Sequence, residues 1–378
     1  LVEGFFEAKD AVGKSEGMMA TFFNAIIGFV GGVLDGLIFG MLDLIKDAIS
    51  WVAGFLGFED VEKFLDSFSF SDMFNEFLDD IYKWFNLLFS DPVKALTKLF
   101  KNEKIKLIKI QMKNKCDYIS DPLIDWDDHI RPFTDNLKGV EKGALTRYYE
   151  NNTFYRQPII TNKISTSGKI FKNNICFNLF PKRTKIKIDV LDPFTLYDLS
   201  LNEFYKSEEE LIGDFGKIIR KELLQIKDNV DLIQFNAPSL AKVQEKEQLN
   251  MIKKVMNNVT KGLNVTTCLN LWGSDISNTI NEFIEFPVDI IGIDFVTTKI
   301  DKYDPITINK MLACGLIDAK NTKMEEKKQI IQKLKAIRKL FGVNSVSLIP
   351  SWDFEFIPET FAKKKIELMK LIKEEQRG

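Results

Sequence analysis

The sequence predicts an α/β protein, a (β/α)8 TIM-like barrel that lacks an evident first strand, preceded by an all-α segment rich in Phe and Gly. Two observations predict it. Short apolar runs alternate with basic amphipathic stretches over residues 104–378, and the composition changes abruptly at Asp91–Asn102. Apolar strands separated by helices are typical of parallel βα units, and about 275 residues suit one such barrel. A doubly wound open sheet is the alternative, but no GxGxxG or Walker-type loop supports it.

Charge and phenylalanine content divide the chain in two. Residues 1–100 contain 16 acidic and 7 basic residues and 16 of the 32 phenylalanines, whereas residues 101–378 carry a net charge of +7. The whole chain has a net charge of −2, which argues against a nucleic-acid partner. Four widely spaced cysteines without a CxxC pair argue against a zinc ribbon and favour a reducing, cytoplasmic compartment. We therefore expect two domains, residues 1–100 and residues 104–378.

The first domain is predicted to consist of amphipathic helices. Its glycines recur four apart, on one face of a helix, and this spacing lets two helices approach closely; they are Gly28, Gly32, Gly36 and Gly40. Residues 18–34 carry no charge, which is about the lower length limit of a membrane span, but Asp35 interrupts the run. Self-association of this segment and membrane association of residues 18–45 are both expectations. In composition alone, the segment resembles helical parts of phage tail tape-measure proteins.

Six apolar runs are predicted as strands of the barrel: residues 184–193, 230–238, 263–273, 288–296, 310–318 and 346–353. Helices are predicted between them at Ser207–Lys227, Lys242–Lys261 and Met324–Leu340. In such a barrel the carboxyl ends of the strands carry the chemistry. Those ends are expected at Asp192-Pro193-Phe194-Thr195, Asn236-Ala237-Pro238, Cys268, Asp294 and Ser351-Trp352-Asp353. Because Asp and Asn also favour the turn that follows a strand, a purely structural role is the alternative.

Several motifs, in order and with sensible spacing over residues 104–374, resemble the cobalamin-independent methionine synthase family and its archaeal members. "SDPLIDWDDHIRPF" and "GALTRYYENNTFYRQPII" are similar to the segment after the family's first barrel helix. "DVLDPFTL" is similar to its TGPxT loop, "IQFNAPSL" to IQxDEPAL, and "LACGLIDAKNTKMEEKKQIIQKL" to LGxGVxDxxxxxxE. The resemblance implies a TIM barrel and methyl transfer from 5-methyltetrahydrofolate to homocysteine.

The resemblance also implies a zinc site, which this sequence matches only in part. The family holds zinc with a His-x-Cys pair, a Glu on the next strand and a Cys near the end. The corresponding positions here are Thr266, Cys268, Asp294 and Trp352. Because catalytic zinc needs three protein ligands, no zinc is expected, and Cys268 is expected to be a small buried residue rather than a ligand or nucleophile. The single histidine, His129, lies on a different loop.

The incomplete metal site favours a folate-side or partner subunit, with methyl-tetrahydropteroyl-glutamate as ligand and a zinc-bearing methionine-synthase barrel as partner. Arg side chains bind carboxylates in a forked geometry and stack on aromatic rings. The predicted substrate-binding residues are Arg131, Arg147, Tyr148, Asn152, Arg156, Asp192, Thr195, Asn236 and Trp352. The alternative for the whole chain is a structural or interaction protein that acts through its N-terminal helices, with the barrel as a scaffold.

Two local alternatives accompany this assignment. "RYYENNTFYR" is interpreted either as a ligand contact or as a helix end with a capping loop packed on the barrel rim. We interpret the segment that contains Trp126, Asp125, Asp127 and Asp128 as a solvated turn rather than a pair of acid–base groups. Asp127 is expected to form an ion pair with Arg131.

The family's first strand, with its GSxP loop, has no clear counterpart. "KIKLIKIQMKNKCDYISD" supplies the helix that follows it. Either "ALTKLFKNEKIKLIKI" forms the strand, or the barrel lacks one and has two open edges.

Overall fold

The computed structural model describes residues 92–126, 128–149, 151, 153–300 and 305–377. Within it, Val93–Gly378 form one compact unit. The expectations for the first domain lie outside the described residues: the Gly28, Gly32, Gly36 and Gly40 spacing, and the membrane association of residues 18–45. Among the helices that are described, none is long and apolar enough to cross a bilayer.

The described helices are α1 (Pro92–Lys113), α2 (Arg131–Thr134), α3 (Ile170–Asn174), α4 (Pro193–Asp198), α5 (Glu208–Leu223), α6 (Lys246–Thr260), α7 (Ile280–Ile284), α8 (Lys327–Phe341) and α9 (Glu359–Arg377). The strands are β1 (Ile119–Ser120), β2 (Leu137–Arg147), β3 (Phe154–Thr166), β4 (Ile186–Leu191), β5 (Leu201–Asn202), β6 (Leu232–Asn236), β7 (Thr266–Leu271), β8 (Ile290–Asp294), β9 (Met311–Ile317) and β10 (Ser347–Pro350). All six predicted strands and all three predicted helices of the barrel are confirmed.

Seven parallel strands form one curled sheet in the order β1-β4-β6-β7-β8-β9-β10. Helices follow most of the strands, and the arrangement is a TIM-like barrel. All five residues of β8 are buried, and residues 290–293 carry no polar side chain, because a strand covered on both faces lacks the polar alternation of an exposed sheet.

Local signals delimit the helices around the sheet. α5 begins after Ser207, whose side chain accepts from the backbone N–H of Glu210 at 3.2 Å, and its last turn carries Arg220 and Lys221. Both features complement the ends of a helix dipole. α8 ends at Gly342, which adopts a φ of 61°, the left-handed conformation in which glycine commonly ends helices.

The seven-stranded sheet has β1 at one edge and β10 at the other. Among the described residues, β1 pairs only with β4 and β10 only with β9. The hypothesis that "ALTKLFKNEKIKLIKI" forms the first strand is wrong, because this stretch lies within α1. Its Lys104 and Ile108 are 1% and 2% exposed, and this spacing of four places both on one helical face. The described part of the barrel is therefore open by one strand position.

A second, three-stranded sheet in the order β2-β3-β5 was not predicted. β2 and β3 form a long antiparallel hairpin, with Arg147 opposite Phe154 at its tip. "RYYENNTFYR" spans this tip, so the interpretation as a helix end with a capping loop is wrong. The missed signal was a stretch of β-branched and aromatic residues around an Asn-containing turn, which is typical of hairpins.

Candidate functional site at the barrel mouth

The inside of the barrel is built in layers, because alternate residues of each strand face the same side. An apolar layer of four buried residues comes first, formed by Leu232, Cys268, Ile290 and Ala313, with Tyr118 and Ile349 packed against it. Two residues further along β6, β7 and β8, the same face carries Gln234, Asn270 and Gly292. A Cβ at Gly292 would lie 2.5 Å from the Asn270 Oδ1 atom, so this polar layer is tightly filled.

The polar layer is centred on Asp189. Its Oδ1 atom accepts from the Lys187 ammonium at 2.9 Å and from the Gln234 amide at 2.8 Å. The Asn236 amide completes the group with a 3.4 Å contact to Asp189, and Asn270 donates to Asn236 at 3.2 Å. Asn236, predicted as substrate-binding, is therefore part of a hydrogen-bonded network and is only 4% exposed.

Above this layer, at the carboxyl ends of the strands, lies an aromatic cluster formed by Tyr148, Tyr149, Trp272, Trp352 and Phe356. The Trp272 and Trp352 rings have centroids 4.1 Å apart. Tyr149 meets both rings edge-on, at 5.9 Å and 6.5 Å, and Tyr148 lies 4.7 Å from Tyr149. Phe356 contacts Trp352 at 5.4 Å. The hairpin tip thus reaches over the barrel mouth and packs on the loops after β7 and β10.

Tyr149 anchors the hairpin tip. Its φ of 52° lies in the left-handed region, which is uncommon for a bulky side chain. The Tyr149 hydroxyl and the Ser239 hydroxyl are hydrogen-bonded at 2.7 Å, and Ser239 donates to Asp198 at 2.5 Å. The Lys242 ammonium lies 4.6 Å from the centroid of the Tyr149 ring.

His129 lies beside the aromatic cluster, 5.7 Å from the Tyr148 ring. Its Nε2 atom is 2.6 Å from Glu355 and 3.9 Å from Asp353. Burial alone would lower the pKa of His129, but the hydrogen bond to Glu355 and the charge of Asp353 raise it to about 9. The imidazole is therefore a cation at neutral pH.

A small cavity beside His129 has a volume of about 20 Å³, room for one water molecule. Trp126, Asp189 and Asn236 contribute its polar wall, and Phe133 and Phe171 contribute apolar surface.

Two of the predicted strand-end carboxylates bind backbone N–H groups. Asp192, which is fully buried, is the N-cap of α4 and accepts from the N–H groups of Phe194 and Thr195. Burial raises the pKa of Asp192 to about 7, against the effect of these hydrogen bonds. Asp294 accepts from the N–H groups of Gly273, Val296 and Thr297. Thr195 is also fully buried and contacts the Ser239 N–H through its hydroxyl. The geometry of these residues matches the capping alternative.

The four positions that the sequence resemblance assigns to the family's zinc ligands do not form one site. Thr266 is the first residue of β7 and Trp352 stands two positions after Pro350, the last residue of β10, so they lie at opposite ends of the parallel sheet. Cys268 was expected at a carboxyl strand end, but it lies in the apolar layer below, 2% exposed. Burial raises the pKa of its thiol to about 12. Within the described residues, no three His, Cys, Asp or Glu side chains are placed to hold a metal ion, and these residues do not fit zinc.

The predicted ligand-binding arginines lie on the hairpin and beside it. Arg147 and Arg156 are exposed on the same face of the hairpin, and the Arg147 guanidinium lies 5.8 Å from the Phe154 ring centroid. Arg131 begins α2 and is 3.5 Å from Asp135. Tyr148, by contrast, is 3% exposed and belongs to the aromatic cluster. Asn152 lies outside the described residues, so its predicted role stays a prediction.

The acidic loop before α2 has structural contacts. Asp125 pairs with the buried Lys104 at 2.6 Å. Asp128 accepts from the backbone N–H groups of Ile130 and Arg131, and from that of Arg156 on the hairpin. Asp127 and its predicted ion pair with Arg131 lie outside the described residues.

Sequence reasoning missed Trp272 and the His129–Glu355 pair, and it named Tyr149 only as part of "RYYENNTFYR". Trp272 stands directly after an apolar strand, a signal that was available. No local signal could have joined His129 to Glu355, because 226 positions separate them.

The sequence profile of the family described as "Cobalamin-independent synthase, N-terminal domain" matches residues 137–342. This range covers more than half of the chain, and it includes the hairpin and the strands β4 to β9.

Curated relatives and solved structures are consistent with this match. The chain is 24% identical over 292 residues to a methionine synthase of Saccharolobus solfataricus, covering 74% of this chain and 86% of the relative. It is 23% identical over 285 residues to a methionine synthase of Sulfolobus acidocaldarius, covering 73% and 80%. A B12-independent methionine synthase from Shewanella sp. W3-18-1, solved in complex with selenomethionine, superimposes with a TM-score of 0.62 at 18% identity, covering 75% of this chain and 89% of that one. The last comparison shows the shared fold.

The family profile matches residues 137–342, which is more than half of the chain. The chain therefore belongs to the cobalamin-independent synthase family.

Proposed function

We propose that this protein takes part in methyl transfer from 5-methyltetrahydrofolate to homocysteine as a zinc-free barrel that works with a zinc-bearing partner, and that it is not a complete methionine synthase by itself. The match to the family's N-terminal domain supports this proposal. The relatives named as methionine synthases support the reaction class.

The packing of Trp352 on Trp272 is the single observation that carries the proposal. Trp352 stands where the sequence resemblance places a zinc-binding cysteine, and its ring lies 4.1 Å from that of Trp272. An indole has no lone pair available for a metal ion. The neighbouring carboxylate of Asp294 is already bound by three backbone N–H groups.

The chemistry of a thiol substrate explains why a partner is needed. A free thiol has a pKa of about 8.5, and the thiolate is the nucleophile. A barrel that cannot deprotonate homocysteine would leave most of it unreactive at neutral pH. We therefore infer that the metal-dependent half of the reaction occurs on another polypeptide.

The hairpin is the part of this chain that we assign to the methyl donor. Arg147 and Arg156 share an exposed face with the Phe154 ring. Guanidinium groups bind the carboxylates of a glutamate tail, and an exposed ring offers a stacking surface for a pterin. Arg131, Tyr148 and Asn152 are proposed to contribute near the same tip.

Metal analysis of the purified protein tests the zinc-free assignment. We expect no stoichiometric zinc, and the same result for Cys268→Ser. One tightly held zinc per chain that is lost in Cys268→Ser would contradict the proposal.

Calorimetric titration with methyl-tetrahydropteroyl-glutamate tests the ligand. We expect binding that weakens in Arg147→Met and Arg156→Met but not in Arg183→Met, an exposed arginine of the turn before β4 that is not part of the hairpin. A methyl-transfer assay should show no turnover by this chain alone and turnover when a zinc-bearing barrel is added. Robust turnover by the isolated chain would refute the partner role.

A second candidate function rests on the sequence of residues 1–100, where the Gly28–Gly40 spacing favours helix association. In this case the chain would act as a structural or interaction protein, with the barrel as scaffold. Sedimentation of the full chain, compared with Gly32→Leu/Gly36→Leu, tests it. A monomer in both cases would exclude self-association through this segment.

A further inference from the structure

The tip of the hairpin formed by β2 and β3 has one buried and one exposed face. Tyr155 on the buried face is 3% exposed, whereas Leu145 and Phe154 on the opposite face are 58% and 47% exposed. Leu145 is the most exposed large apolar side chain among the described residues. In the ladder, Leu145 pairs with Arg156 and Arg147 pairs with Phe154, so these four side chains share one face. We call these four residues the tip face.

The tip face has the composition of a protein–protein contact, in which aromatic and arginine side chains are enriched. The Arg147 guanidinium lies 5.8 Å from the centroid of the Phe154 ring. Among the described residues, no carboxylate lies within ion-pair distance of Arg147 or Arg156. The tip face thus combines exposed apolar surface with two cations, and it suits a surface that is apolar and acidic.

Two features fix the position of the tip face. The backbone N–H of Arg156 donates to the Asp128 side chain at 3.2 Å. The register of β2 shifts between Lys142 and Leu145, and a bulge of this kind re-aims the side chains that follow it. A surface that is already ordered loses little conformational entropy on binding, which favours association.

The filled barrel mouth explains why a partner has to approach from outside. The cavity beside His129 has a volume of about 20 Å³, which holds one water molecule but not homocysteine. The reacting atoms of a group transfer must approach to about 3–3.5 Å. Since the hairpin is proposed to hold the methyl donor, a thiolate on another polypeptide has to reach that donor over the tip face.

We propose that the tip face is the docking surface for the zinc-bearing barrel, and that Leu145 packs there on an apolar, acid-rimmed surface of that partner, beside the methyl donor. The assignment rests on the partner role proposed above, and it adds the position of the interface. The four side chains form only the centre of the contact, because a stable interface buries about 800 Å² on each partner.

Analytical ultracentrifugation of the full chain with a zinc-bearing methionine-synthase barrel measures association without any need for turnover. Metal analysis first verifies the zinc content of that probe. We expect a saturable complex whose dissociation constant rises with sodium chloride concentration, because salt screens the attraction between the arginines and acidic groups of the partner.

Leu145 and Met311 provide a matched pair of variants. Met311 is 52% exposed, but as the first residue of β9 it lies at the end of the barrel opposite the mouth. Leu145→Thr should weaken association by about tenfold, because it removes apolar surface from the contact, whereas Met311→Thr should leave it unchanged. Thr suits an exposed strand position, and equal melting temperatures of the two variants check that both are folded.

Any of three results would overturn the proposal: the absence of a complex, a dissociation constant that does not depend on salt, or equal affinities of Leu145→Thr and Met311→Thr. Failure of the proposed function has a different signature. Association that depends on Leu145 but never yields turnover would contradict the methyl-transfer role and leave the docking surface standing. Turnover that is equally fast in Leu145→Thr and the natural chain would support the methyl-transfer role and exclude this docking surface.

Discussion

The Gln111 side chain forms two hydrogen bonds with the backbone of Ser120. A neighbouring β-strand would form the same pair of bonds with that residue. The Gln111 amide nitrogen donates to the Ser120 carbonyl at 3.0 Å, and its amide oxygen accepts from the Ser120 N–H at 2.9 Å. Ser120 is the last residue of the edge strand β1. A side chain of α1 thus satisfies the polar backbone at the open edge of the barrel, which also discourages pairing with a foreign strand.

Replacement of Gln111 by Leu should expose this edge. Both backbone groups of Ser120 would lose their partner, and we expect the free energy of unfolding to fall by about 1–3 kcal/mol. Urea unfolding followed by circular dichroism measures it. Gln329→Leu is the control, since Gln329 is exposed on α8 and its side chain bonds to Glu326 alone among the described residues. Equal stability of the two variants would show that the Gln111 contacts contribute nothing.

A buried ion pair attaches α1 to the barrel. The Lys104 ammonium is 2.9 Å from Asp121 and 2.6 Å from Asp125, and its side chain is 1% exposed. Lys104→Met would leave the buried Asp121 without its cation, and we expect a loss of about 3–5 kcal/mol in the free energy of unfolding. Lys106→Met, two residues away, removes a half-exposed ion pair with Glu103 and should cost at most about 1 kcal/mol. A small effect of Lys104→Met would mean that α1 is held by apolar packing alone.

The His129–Glu355 pair should make stability depend on pH. The pKa of His129 is about 9 in the fold and 6.5 in its ordinary state, so the folded protein binds the proton more tightly. The resulting stabilisation is fully present below pH 6.5 and is lost as pH rises through 9. The stability difference between the natural chain and His129→Gln should therefore shrink between these two values.

Nuclear magnetic resonance can follow His129 directly, because the chain contains one histidine. Its titration should have a midpoint of about 9. Glu355→Gln should lower this midpoint, since the hydrogen bond to Glu355 raises the pKa. A midpoint near 6.5 in the natural chain would be inconsistent with the pair.

Position 273 requires a glycine for two reasons, its left-handed backbone conformation and its close approach to Trp352. Gly273 adopts a φ of 82°, and a Cβ there would lie 3.2 Å from the Trp352 ring. Gly262 has a similar φ of 70° but no heavy atom within 4 Å of its Cβ position. Gly262→Ala should cost about 1–2 kcal/mol for the left-handed backbone. Gly273→Ala should cost about 1–3 kcal/mol more because of the collision with Trp352. Equal costs in urea unfolding would place Trp352 elsewhere.

The sequence by itself determined six of the seven strands of the barrel sheet and three of the helices around it. The run at β8 is apolar up to Asp294 because both faces of the strand are buried, and such a run is visible without any knowledge of its neighbours. The caps at Ser207 and Asp192 are equally local, since each side chain binds N–H groups only two or three residues away. The family resemblance followed from the same short segments, because their order along the chain is preserved.

Only the tertiary structure decided the layout of the barrel mouth. Cys268 lies below the mouth rather than at it, since two residues more or less along a strand change the layer without changing the face. Tyr149 meets Ser239 across 90 positions. Gln111 binds the backbone of Ser120 at an edge where no further strand pairs among the described residues. Contacts of this kind depend on how separate elements pack, and local periodicity carries no information about which distant residue a side chain will meet.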